Sequence, residues 1–496
     1  MRTLIQGGWV VGHDQRGHVL IPDGVVVLEG ETILHVGRRF DGPVDETIDA
    51  RGMLVSPGFV DTHVHFGHRA LHRLFSDTGR PEFSGQPFLE VQIARQGRAV
   101  ASGEAIDRAS GMTRAARLDL EAEYTVAELL RNGITTFVEF GGRLEVQRAL
   151  KAQLARLGIR GYLAGSVESG NWAFDANGSL YFDWDIPRGL RELDEAIAFI
   201  EEIDGAHEGR VRGILVPNKV ETCSPEVLDR AIQVAKADGL PLAIHAGYNV
   251  HEFYYVVNRH RLTPIRFLES KGYLDLGPKL NLGHCNFIGE IAVLGFSGSR
   301  DLKAIGDHHC SVSHCPVNLV RRARFLDSWP RYQEAGVNMT LGTDTYPRDM
   351  FAQMRAASYL GKLMSRNLFA ATAAEVFTAA TVGGAESLGR HDLGRLAAGA
   401  KADILLIDLQ GAFRKVPLRD PIKFIVECGV GDDVDTAIVN GAVRMSKGAI
   451  HGLDTAALMA RTQRLAEATW EALPDWDPLG RTADQMGPYS FPLIEQ

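Results

Sequence analysis

The chain has 496 residues, 45% of them hydrophobic and 23% charged, and a formal net charge of −9. That length favours one large domain with a smaller companion, and the acidic balance argues against a nucleic-acid-binding surface. No basic-plus-apolar leader opens the sequence and no apolar run reaches membrane-spanning length, so neither a secreted nor a membrane protein is expected.

Cysteines 223, 285, 310, 315 and 428 form no CxxC pair, which suits reduced thiols in a cytoplasmic protein. Residues 3–11, 24–28 and 32–36 have the texture of short strands broken by Gly, Asp and Pro. The same texture returns at 401–408 and 434–441. The two terminal segments, 1–58 and 391–450, are therefore predicted to pair into a small β-sandwich, with a larger domain inserted between them.

That inserted domain opens with an apolar run ending at residues 57–65, PGFVDTHVH, followed by a polar, Gly-containing insert at 67–117. Helix-like and strand-like stretches then alternate: 121–132 before 134–140, 145–157 before 160–166, and 191–203 before 212–218. The next helix has Ser224 as N-cap, Pro225 at its first position and Gly239 as its stop, and leads to a strand at 241–246. Residues 264–271 lead to 280–285, a helix from about 289 leads to 310–314, and 330–335 lead to 338–344. Eight strands with helical connections over 59–390 predict an α/β fold, a parallel (β/α)8 TIM-like barrel, although a doubly wound open sheet shares much of the pattern. A C-terminal segment, 451–496, adds a helix at 455–472 and a Pro- and Gly-containing extension that could pack on the barrel or on a second subunit.

A barrel of this kind carries its chemistry at the carboxyl ends of the strands. Strand 1 ends in His63 and His65, which period-two alternation puts on one face. Strand 5 ends in His245, strand 6 in His284, strand 7 in His314 and strand 8 in Asp344, in a chain with only 17 histidines. Neutral imidazoles with one carboxylate suit a divalent ion that keeps a position for water. The ion lowers the pKa of that water, and Asp344 could serve as both ligand and proton acceptor.

Residues 57–65, the strand-end histidines, Leu341-Gly-Thr-Asp344 and the stretch 394–403 resemble the amidohydrolase superfamily. Thr222-Cys-Ser-Pro-Glu226, His314-Cys-Pro316 and 334–344 are similar, more narrowly, to its cytosine deaminase, guanine deaminase and triazine hydrolase branch. The resemblance implies that His63, His65, His245 and Asp344 bind one divalent metal, zinc first and iron, manganese or cobalt as alternatives. It implies that His284 orients or polarises water or substrate, that the substrate is a small molecule, and that the protein is a homo-dimer or larger homo-oligomer.

Two positions depart from that branch. Its deaminases usually carry a glutamate three residues after the strand-5 histidine to protonate a ring nitrogen; here Tyr248 stands there, and Glu252 lies further on. A phenol is the poorer acid, so cleavage of an amide, urea, carbamate or similar C–N bond is expected ahead of deamination or triazine-type substituent hydrolysis. In strand 4, Lys219 stands near a position where relatives often have histidine, and a carboxylated Lys219 bridging two metals is the alternative to an ordinary lysine.

Around the metal, Phe66, Trp172, Tyr248 and His314 are candidate substrate-binding residues; Phe253, Tyr254 and Tyr255 could line a pocket or serve as packing. His314 suits a direct or a supporting role equally. His68, His72, His251, His308 and His309 are expected at the surface or in the core, and Cys285 and Cys310 as small buried residues. A catalytically inactive scaffold is the alternative of another class, which the intact ligand set disfavours.

Overall fold

Every residue of Phe59–Val64 and of Ile134–Glu139 is buried, the mark of strands covered on both faces. The structure, a computed structural model, describes residues 1–67, 69–78, 99–174, 180–291, 294–477 and 479–494. His68 and most of the insert's middle, 79–98, lie outside them.

Parallel pairing runs from Phe59–Val64 to Ile134–Glu139, Arg160–Leu163 and Val211–Gly213. The third and fourth strands resume as Ser166–Val167 and Val216–Pro217, which pair with each other. Single bridges, Leu215 to Leu242 and Lys219 to His245, carry the pairing to the fifth strand. Leu242–Ala246, Leu280–His284, Ser311–His314 and Asn338–Leu341 then pair in order. A bridge from Asp344 to Val64 joins last to first: His65 N–H donates to the Asp344 carbonyl and Asp344 N–H to the His63 carbonyl, both at 2.7 Å. Because all these pairs are parallel, the carboxyl ends meet at one rim.

The terminal segments form a separate nine-stranded sheet. Its seam is the antiparallel pairing of Met53–Pro57 with Ile404–Asp408. The sheet has its own buried core, including Ile5, Val10, Val26, Ile33, Leu406 and Ile438. It is bolted to the parallel strands by Arg160, whose Nε and Nη2 donate to the Asp403 carboxylate at 2.7 and 3.0 Å, with both side chains buried.

Several elements differ from their expected extents. The helix expected at 121–132 is Arg114–Arg131, started by Thr113, whose hydroxyl accepts from Ala116 N–H. The third strand breaks near Gly165, where a Cβ would stand 3.2 Å from Ala196 of the helix Ile186–Ile203. The helix expected from about 289 is instead Asp301–Asp307. Gly295 and Gly298 before it have positive φ, and Gly289 N–H donates to Asp301 at 2.8 Å, tying the place of the expected start to the start of the observed helix.

Two loops that showed no periodicity carry elements of their own. Gly170–Phe174 and Leu180–Trp184 form a hairpin. Val250–His260 is a helix whose first turn is closed by a capping box between Asn249 and Glu252. The tail helix, Thr455–Glu471, packs on the same chain: Trp470 Nε1 donates to the Ala70 carbonyl at 2.9 Å and Arg461 pairs with Glu123 at 3.1 Å. Among the described residues no helix is long and apolar enough to cross a membrane.

Candidate active site

Three imidazoles converge at the rim. His65 Nε2 lies 3.2 Å from His63 Nε2 and 3.2 Å from His245 Nε2. His245 Nδ1 donates to the Asn218 carbonyl at 2.7 Å, which leaves the lone pair on Nε2 facing its neighbours. A neutral imidazole has one N–H, so three facing nitrogens cannot satisfy one another, whereas a cation among them satisfies all three. Burial pushes His63 and His245 well below the ordinary histidine value and His65 below it. Neutral rings are what metal ligation requires.

Asp344 completes the cluster. Its Oδ1 lies 3.7 Å from His65 Nε2 and its Oδ2 3.8 Å from His284 Nε2. Oδ2 also accepts a short hydrogen bond from Asn318 Nδ2. Asp344 sits at φ 60° and His284 at φ 76°, left-handed conformations that the surrounding pairing enforces on two non-glycine residues. Burial lowers His284 to about 4, so it is a neutral imidazole beside the carboxylate. Donor set, protonation and convergence all fit a divalent ion. A second group, His63, His284 and Cys315, also lies close enough to chelate, but burial holds the Cys315 thiol well above its ordinary value and protonated, a poor ligand.

The cluster is held from behind by residues the sequence reading did not single out. Asp61 accepts from His63 N–H at 3.1 Å, Thr343 N–H at 3.0 Å and Thr343 Oγ1 at 2.6 Å, tying the first strand to the turn after the eighth. Phe140, at the end of the second strand, stacks on His63 with centroids 3.7 Å apart. Gly342 is required by space: a Cβ there would meet His63 Cβ at 2.5 Å. Asp61 had a readable signal, since it alternates onto the histidine face within 57–65. Asn218 and Asn318 had none, because only the tertiary contact distinguishes them.

A cavity of about 370 Å³ opens at His65 and Phe66, with Glu121, Glu139 and, from the tail, Leu465 and Trp476 in its wall. Tyr248 and Trp172 are not among its lining residues. They meet instead at Glu221, whose Oε1 accepts from Tyr248 OH at 2.5 Å and from Trp172 Nε1 at 3.3 Å. His314 lies outside both chelating groups, with its ring 5.9 Å from Trp329, and burial lowers it to about 3. Tyr254 OH donates to the Leu294 carbonyl, Phe253 is fully buried and Tyr255 packs on Phe182, so these three serve packing within the helix and hairpin. His72 is buried, His308 half-buried, and His251 and His309 exposed.

Lys219 Nζ pairs with Glu168 at 3.1 Å. Burial would lower its pKa, but Glu168 and Glu221 outweigh that and hold it above the ordinary lysine value. Such an ammonium has no lone pair with which to take up CO2. Glu252 is likewise occupied: Oε1 accepts from Gly247 N–H at 2.8 Å and Oε2 from Tyr248 N–H at 2.7 Å and Asn249 N–H at 3.4 Å. It shapes the turn after His245.

This ring of parallel strands with a histidine–aspartate rim is that of a metal-dependent hydrolase, and the chain belongs to the Amidohydrolase family, whose pattern matches residues 54–444. Its relatives are named as deaminases, hydrolases acting on carbon–nitrogen bonds, and this chain is such a hydrolase. The chain is 28% identical over 477 residues to a 5-methylthioadenosine/S-adenosylhomocysteine deaminase of Pelotomaculum thermopropionicum, covering 93% of this chain and 98% of that one. It is 28% identical over 453 residues to a 5'-deoxyadenosine deaminase of Methanosarcina mazei, covering 90% and 94%. Among solved structures it superposes with a TM-score of 0.77 and 23% identity on zinc-complexed atrazine chlorohydrolase from Arthrobacter aurescens, covering 94% of this chain and 100% of that one.

Proposed function

We propose that this chain is a metal-dependent aminohydrolase that replaces the amino group of a small nitrogen heterocycle by oxygen, releasing ammonia. The ring of pairings supports a (β/α)8 barrel, accompanied by the terminal sheet. His63, His65, His245 and Asp344 hold the metal, zinc first, and the observation that carries this is the facing set of three Nε2 atoms beside the Asp344 carboxylate. The bound ion supplies a more acidic water and polarises the carbon under attack. Asp344, kept in place by Asn318, accepts the water's proton; His284, neutral, donates a hydrogen bond to the oxygen that forms. Phe66 supplies an apolar wall of the cavity beside His65. Deamination is favoured by the curated deaminases that match over nine-tenths of the chain. Hydrolysis of an amide, urea or carbamate is the second reading, favoured by Tyr248 at the place of the strand-5 glutamate. A cytoplasmic location is proposed on the unpaired cysteines, and a homo-oligomer on the resemblance.

The test is turnover of zinc-reconstituted protein against Asp344→Asn on aminated heterocycles and on amides and ureas. Loss of about 10²–10⁴-fold in the variant is expected, the usual worth of a positioned general base. A variant as fast as the parent refutes the role of Asp344, and no turnover lost on chelation with EDTA refutes the metal.

A further inference from the structure

Glu221 is a buried carboxyl group beside the site with half of its hydrogen-bonding capacity unused. It follows the fourth strand directly: Val220 N–H donates to the His245 carbonyl at 3.2 Å, and Lys219 bridges to His245. The side chain is 1% exposed. Oε1 accepts from both Tyr248 OH and Trp172 Nε1, whereas Oε2, equally buried, has no partner. Buried carboxylates that serve structure have both oxygens satisfied, as Glu252 next to it does. The Tyr248 ring that pins Glu221 lies 5.8 Å from the His245 ring and 6.4 Å from the His284 ring. Tyr248 thus links the buried carboxyl group to the rim histidines, and Oε2 is left without a protein partner.

We propose that Glu221 is the catalytic acid that protonates the substrate's ring nitrogen, with Tyr248 and Trp172 as the positioning residues that fix it. The carboxyl group expected three residues after the strand-5 histidine is supplied here from the end of the fourth strand, across a hydrogen bond from the tyrosine that took its place. The proposal rests on the aminohydrolase reading and names its substrate class: a heterocycle with an amino group on the carbon next to a ring nitrogen.

In the step, the Glu221 carboxylic acid gives its proton to that nitrogen. The carbon–nitrogen π pair moves onto the protonated nitrogen as the water oxygen bonds to carbon, and Asp344 takes one water proton. The carbon–amino bond then breaks as Asp344 returns that proton to the departing nitrogen, which leaves as ammonia. The remaining hydroxyl proton passes through solvent to reprotonate Glu221, and the product keeps a ring N–H and a carbonyl. Substrate plus water thus becomes lactam plus ammonia.

Ammonia release from a panel of aminated purine nucleosides, pyrimidines and triazines tests this with the zinc-loaded full chain. Glu221→Gln should lower kcat about 10²–10⁴-fold, with KM, zinc content and unfolding midpoint as in the parent. Tyr248→Phe, the milder variant, removes a hydrogen bond that favours ionised Glu221. The activity limb lost at high pH should then move to higher pH, the other groups facing Glu221 (Lys219, Glu168 and Glu252) being unchanged. If Glu221→Gln releases ammonia within threefold of the parent, or the limb stays put in Tyr248→Phe, Glu221 is not the acid while the aminohydrolase reading stands. If the parent releases ammonia from no member of the panel, the reading itself falls, and the role of Glu221 with it.

Discussion

Replacing Arg160 by Met should show how firmly the terminal sheet is bound to the parallel strands. Arg160 donates through Nε and Nη2 to Asp403 at 2.7 and 3.0 Å and through Nη2 to Asn440 Oδ1 at 2.6 Å. Asp403 also accepts from Asn440 N–H at 2.8 Å. The side chains are 1% and 3% exposed, so solvent screens the pair little. At an effective dielectric of about 20, unit charges about 4 Å apart attract by roughly 4 kcal/mol. Removing Arg160 alone leaves the Asp403 carboxylate buried with only the Asn440 N–H, and a buried charge stripped of its partner costs about 3–5 kcal/mol. Arg160→Met with Asp403→Leu removes both charges and should recover most of that loss. Urea unfolding followed by circular dichroism and tryptophan fluorescence measures all three proteins. A loss below about 1 kcal/mol for Arg160→Met, or a double variant as unstable as the sum of the singles, would refute the reasoning.

Asp61→Asn leaves the ligands in place but weakens the contacts that align His63 with the eighth strand, and should lower zinc affinity about 10–100-fold in competition with a chromophoric chelator. An affinity within twofold of the parent would deny Asp61 that role. His18 is half-buried against Thr381, 2.9 Å from its hydroxyl, and desolvation lowers it to about 3. Unfolded, it takes a proton below about pH 6.5 that the folded chain refuses, so folding loses about 1.4 kcal/mol per pH unit from this group as pH falls. The parent should lose stability relative to His18→Gln between about pH 6 and pH 4. Parallel pH profiles would show that His18 is protonated in the fold.

The rim histidines were legible because they combine a scarce residue type with period-two placement at the ends of buried strands. The helix from Ser224 was legible because its cap, its proline and its stopping glycine are local signals, and it runs Pro225–Asp238. The helix Val250–His260 and the hairpin at 170–184 escaped because neither has a clean apolar repeat. In the sequence Glu252 lies close enough to His245 to stand in for the absent glutamate, but three backbone N–H groups use it up. Glu221 adjoins residues 222–226 but carries no local signal of its own, because a glutamate next to a strand end reads as solvated.

By itself the sequence determined the succession of strands and helices, and with it which residues reach the rim. Strand ends are set by local propensity and alternation, and parallel order then brings His63, His65, His245, His284 and Asp344 to one edge. Only the tertiary structure decided which nitrogens face each other at 3.2 Å and which carboxyl groups are already satisfied. A hydrogen bond between residues 221 and 248 joins two strands through a tyrosine that no local pattern ties to a glutamate. Whether a buried carboxyl group is structural or available for chemistry depends on such distant partners, and pairing of that kind leaves no trace in a single chain.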